Sequence, residues 1–141
     1  MKGVLILPAL LVAAATAGAD PQAPSVLVGD GGGGGAQPSP AALYAEFCAG
    51  CHGQDRAPLS GSPYPALFGN PQVAAAGPVY VALKALRGTG NMYPLCSLAS
   101  DAEIAAIAND LAAANGHQGV ALTVEAVAPL RPAAGDCPVP Q

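Results

Sequence analysis

The pentapeptide Cys48-Ala49-Gly50-Cys51-His52 constrains what this chain can fold into more than any other feature. Two thiols three residues apart on a distorted helical turn can each bond to a separate point on one flat group, with the adjacent histidine held beneath its centre. A fold that uses the motif in this way must wrap its core around that group. With four cysteines and two histidines in the whole chain, a chance match to C-x-x-C-H is a small risk.

This spacing is the signature of covalent haem attachment. Cys48 and Cys51 are expected to add to the two vinyl groups of one haem as thioethers, and His52 to bind its iron. A zinc site is the first rival. It would need a fourth ligand at usable spacing, a cysteine and its neighbouring histidine seldom reach one metal together, and Cys96 and Cys137 do not form a second C-x-x-C pair. A thioredoxin-like dithiol would need a βαβ pattern, which is missing.

The termini set the size of the domain. Residues 1–19 read as a secretory signal, with Lys2, an apolar run from Val4 to Ala15 and the small residues Ala17, Gly18 and Ala19 before a cleavage point. As an uncleaved anchor the run falls short of the roughly 20 residues that a spanning helix needs, and Pro8 interrupts it. No later segment is long and apolar enough to span, so no membrane span is expected after cleavage. Residues 20–40 are rich in Gly, Pro, Ser, Ala and Gln and contain the run Gly31 to Gly35. They read as a flexible linker, and the glycine run lacks the Lys-Ser/Thr end of a phosphate-binding loop. Residues 41–132 then form one small domain, followed by a tail at 133–141. A core of about ninety residues usually needs a staple, which a buried haem would supply. The formal net charge of −4 argues against nucleic acid as a partner.

Helical periodicity accounts for most of the domain. Ser39 and Pro40 look like an N-cap and a first helical position, and Leu43, Tyr44 and Phe47 mark the apolar side of a helix running into Cys48. From Ala57 to Asn70 the pattern dissolves into a loop. Pro78 is expected to open a second helix, with Val79, Leu83 and Leu86 on one face, ending at Gly88 and Gly90 before a turn that presents Met92. Ser100 and Glu103 form a capping box for a third helix, whose stripe is Ile104, Ile107, Ala108 and Leu111 and whose stop is Gly116. Thr123 is placed to cap a last short turn. Three or four helices without alternating strands give an all-α domain.

On these residues the sequence resembles the small class I monohaem cytochromes c, from about Ala42 to Arg131. The resemblance implies three to four helices wrapped around one covalently bound haem c and its iron. It implies that Tyr44, four residues before Cys48, packs the first helix on the last, with Ile107 and Leu111 as receivers. It also implies that the Pro65 carbonyl accepts a hydrogen bond from His52 Nδ1 while Leu67 lies on the haem, which would fix the tautomer of the ligand. Met92 is the implied second axial ligand, and the other methionine, Met1, leaves with the signal. His117 competes for that position, but it follows a helix stop among polar residues and reads as a solvated side chain. Pro40 stands where the family often has glycine, so Ala41 or Ala45 is expected to make the close helix contact instead.

Several residues keep two readings. Cys96 and Cys137 could form a disulfide in an oxidising compartment, or remain separate thiols or pair between chains. Arg87 could pair with a haem propionate, or be the basic end of a helix. Lys84, Arg56 and Arg131 read as solvated surface. For function, the resemblance implies a periplasmic electron carrier with His/Met ligation rather than an enzyme. Redox proteins are its expected partners: a periplasmic dehydrogenase as donor, with the chain either its cytochrome subunit or a free shuttle, and a terminal oxidase or another cytochrome as acceptor. The rival class is a five-coordinate haem enzyme or gas sensor, such as a peroxidase-like protein, which would require Met92 to be off the iron.

Overall fold

The computed structural model describes residues 37–57, 60–133 and 135–137. The expected signal at 1–19 and nearly all of the expected linker at 20–40 lie outside the described residues. Helix α1 spans Pro40–Phe47, and the Ser39 hydroxyl accepts the Ala42 N–H at 3.2 Å, with proline in the first helical turn. Proline is at home there because that N–H would be unpaired in any case. The helix buries Leu43 and Tyr44 and leaves Ala41 and Ala45 exposed. The close contact expected of those alanines is therefore made by the larger pair, because the helix turns that face to α4.

Helix α2 is a single turn, Ala49–His52, separated from α1 by the non-helical Cys48. After a loop, α3 runs from Pro71 to Arg87, which is longer than the sequence suggested. Asn70 starts it as an N-cap, its side chain accepting the Gln72 and Val73 N–H groups, and proline again stands in the first turn. A break at Gly77, where φ is 69° and ψ −159°, divides α3 into two helical segments, and Pro78 opens the second, as expected. A side chain at Gly77 would be strained, and a Cβ would lie 2.4 Å from His117 Nε2. On this second segment Pro78, Val81, Ala82, Ala85 and Leu86 are buried at helical spacing, while Val79 is exposed.

Helix α4, Asp101–Ala114, has the capping box predicted from Ser100 and Glu103, both halves formed. Ile104, Ile107, Ala108 and Leu111 are all buried, joined by Ala105 and Ala112. Thr123 caps the short α5, Val124–Val127, which continues into a 3-10 turn at Ala128–Leu130. Helices α3 and α4 share the largest interface, and α1 and α5 pack on α4. The largest fully buried side chains are Leu43, Leu86, Ile104 and Val127, one from each of these four helices. Each contributes about 1.5–3 kcal/mol of burial. Among the described residues there is no strand, only an isolated bridge between Thr89 and Met92. The architecture is all-α.

Two cations expected on the solvated surface are tied into the fold. Arg131 forms an ion pair with Asp101 and donates to the Cys96 and Ala99 carbonyls at 2.7 and 2.6 Å. Arg56 pairs with Asp110 and lies over the Tyr44 ring, 5.4 Å from its centre. His117 is also no free surface residue, since its Nδ1 donates to the Ala74 carbonyl at 3.0 Å, beside the break in α3. A disulfide joins Cys96 to Cys137.

Candidate functional site

Helices α1–α4 and the two loops between them enclose a crevice of about 350 Å³. It is lined by Cys48, Cys51, His52, Pro65, Leu67 and Met92 together, with Phe47, Val73, Val81, Ala85, Leu95, Ile107 and Leu111 supplying apolar wall. Six of the seven binding residues expected from sequence thus meet in one place. Arg87 does not. It is exposed at the end of α3 with its guanidinium 3.5 Å from the Leu130 carbonyl, in a separate hollow shared with Arg131 and Asp136. From this part of α3 it is Tyr80, Val81, Lys84 and Ala85 that line the crevice, rather than Arg87.

His52 is buried at 6% exposure, and its Nδ1 lies 2.9 Å from the Pro65 carbonyl oxygen. A carbonyl can only accept, so Nδ1 carries the proton. In the neutral ring the lone pair is then on Nε2, the form in which imidazole binds a metal. Tyr44 supports the same turn from below, its hydroxyl donating to the Gly53 carbonyl at 2.8 Å. Burial, then the neighbouring Cys48 sulfur, pushes this hydroxyl up to about 12, so it stays a donor across the working pH range.

The two cysteines of the motif are free of any disulfide. Burial pushes the Cys48 thiol up to about 11, with Arg56 pulling the other way. A redox-active dithiol needs a thiol lowered towards neutrality, so the environment runs against that rival reading. Among the described residues no group of three or more His, Cys, Asp or Glu side chains is arranged to hold a metal ion. The donor set and its apolar surroundings fit a haem: two thiols, an imidazole whose Nδ1 is bonded to Pro65, and a thioether on the crevice wall.

Met92 reaches the crevice from a tight turn. Its N–H donates to the Thr89 carbonyl at 3.0 Å, and the Leu95 N–H closes onto the Ala85 carbonyl at 2.7 Å, satisfying an acceptor at the end of α3. Gly88 makes the turn possible, because a Cβ there would meet the Met92 carbonyl oxygen at 2.4 Å. Asn91 and Tyr93, which flank Met92 in sequence, both line the crevice.

Sequence reasoning missed Tyr64, Tyr80 and Lys84 as lining residues. The Tyr64 ring stands 5.9 Å from that of His52, and the Cys51 sulfur beside its hydroxyl raises its pKa. Tyr80 and Lys84 are four apart on α3, with the ammonium 5.7 Å from the ring. Their spacing was visible, but the expected inward face was placed on Val79, Leu83 and Leu86 instead.

The family model described as cytochrome c oxidase, cbb3-type, subunit III matches residues 35–109, more than half of the chain. The chain belongs to that family, whose members are class I c-type cytochrome domains, and its cofactor is covalently bound haem c with iron. No curated protein and no solved structure matches the chain.

Proposed function

We propose that the chain is an exported, periplasmic one-electron carrier whose haem is held by thioethers from Cys48 and Cys51 and ligated by His52 and Met92. When bound, the haem supplies reversible one-electron exchange between Fe(III) and Fe(II). The residues around it do the rest. Pro65 fixes the His52 tautomer, Leu67 and the α3–α4 wall exclude water, and the turn from Gly88 to Leu95 holds Met92 at the rim. The observation that carries this reading is the His52 Nδ1 bond to Pro65 in a crevice that Met92 also lines. A methionine fixed there favours six-coordination over the peroxidase-like or gas-sensing alternative, which needs an open position on the iron.

A periplasmic dehydrogenase as donor, with a terminal oxidase or another cytochrome as acceptor, completes the proposal. The matched family's description names an oxidase subunit, which supports an oxidase among the acceptors. No helix among the described residues is long and apolar enough to cross a membrane. Anaerobic titration of the purified holoprotein should give a single one-electron wave, without turnover of added peroxide. Peroxide turnover would favour the enzymatic alternative. Native extract should also show the cytochrome reduced when the substrate of its dehydrogenase is supplied.

A further inference from the structure

The loop from Pro65 to Asn70 is held to α4 at two points. The first is Arg56. Its backbone lies in the left-handed region, with φ at 66°. That conformation costs a residue with a Cβ roughly 1–2 kcal/mol and persists where the surroundings fix it. Here the Arg56 carbonyl accepts the Leu67 N–H at 2.8 Å and the Phe68 N–H at 3.2 Å, while the guanidinium pairs with Asp110 on α4.

The second point is Asn115, the C-cap of α4. Its amide nitrogen donates to the Leu67 carbonyl at 2.7 Å and to the Leu111 carbonyl at 2.8 Å, and its oxygen accepts the Asn70 N–H at 2.7 Å. The Asn70 side chain in turn donates to the Ala66 carbonyl at 3.0 Å. Both backbone groups of Leu67 are therefore bonded to partners anchored on α4. Two residues earlier, the Pro65 carbonyl takes the proton of His52 Nδ1.

We infer that Asp110 and Asn115 are positioning residues for His52: from α4 they clamp the loop that carries Pro65, and so set the strength of the hydrogen bond behind the iron ligand. The inference rests on the reading of His52 as axial ligand. A hydrogen bond to Nδ1 makes the imidazole more basic at Nε2, and a more basic ligand favours Fe(III) over Fe(II). Loosening the clamp weakens that bond and moves the equilibrium towards the reduced form.

The test compares Asn115→Ala and Asp110→Asn with the wild-type holoprotein, reading the midpoint potential and the exchange rate of the His52 Nδ1 proton by NMR. The reduced-to-oxidised ratio at fixed poise should rise about threefold or more, which is ~28 mV at ~59 mV per tenfold for one electron. Nδ1 exchange should quicken while the visible spectrum stays low-spin. Asn115→Asp keeps the acceptor for Asn70 and loses the donor to Leu67, so it should fall between and serves if Asn115→Ala does not fold. An unchanged midpoint and exchange rate alongside a lowered melting temperature would overturn the clamp while leaving His52 ligation standing. If wild-type NMR shows the His52 ring off the iron, the parent reading fails, and the clamp with it, before any variant is compared.

Discussion

Cys137 closes a disulfide onto Cys96 across 41 residues, with the Cα atoms 5.9 Å apart. The bond ties the C-terminal tail to the segment that follows the Met92 turn. Arg131, at the end of the domain, reinforces it by donating to the Cys96 carbonyl. The turn that presents Met92 is thus bounded by α3 on one side and by a covalent cross-link on the other.

Replacing Cys96 and Cys137 together by serine should lower unfolding stability by ~2–4 kcal/mol, the usual worth of a native disulfide. Denaturant unfolding of the holoprotein checks this. The loss should be greater when Met92 detachment is followed than when total helix content is followed, because the cross-link lies nearest that turn.

Glu103 gives a pH dependence of definite sign. The Ser100 backbone N–H and hydroxyl hydrogen-bond its carboxylate and hold its pKa below the ordinary value of 4.5. The unfolded chain therefore binds the proton first as pH falls. The stabilisation is complete above the ordinary carboxylate range and disappears as pH drops through the lowered folded value. Glu103→Ala should cost about 0.5–1 kcal/mol at neutral pH, and the gap to wild type should close on acidification, as followed by thermal melts across pH.

Arg87 and Lys84 should separate in their effect on the haem. Arg87 points to the Leu130 carbonyl in another hollow, whereas Lys84 lines the crevice beside Tyr80. Lys84→Ala removes a cation that favours the reduced form, so the midpoint potential should fall. Arg87→Ala should leave it nearly unchanged. Potentiometric titration of both variants measures the difference, and the reverse order would place the propionates at the end of α3.

Much of this site was readable in sequence because its determinants are local. The spacing of Cys48, Cys51 and His52, the caps at Ser39, Ser100 and Thr123, and the stripe from Ile104 to Leu111 each depend on residues within about one or two helical turns. The expected bond between Pro65 and His52 also forms, across 13 residues. What escaped was set by distant contacts. The backbone break at Gly77 accommodates His117 from beyond α4. Arg56 and Arg131 looked like free surface charges because Asp110 and Asp101 stand 54 and 30 residues away from them. Pro71 starts α3 in the manner of Pro40 in α1, but the alanines and Gly77 after it hid this first helical segment.

The axial pair of His52 and Met92 is tested most directly by the absorption spectrum of the purified holoprotein, wild type beside Met92→Ala. For the wild type, the ferric form should show the weak near-infrared methionine–iron band, and the ferrous form should stay low-spin and unshifted under carbon monoxide. Met92→Ala should lose the band and bind carbon monoxide. A wild-type ferrous form that is high-spin and binds carbon monoxide readily, or a band that survives in Met92→Ala, would contradict the assignment.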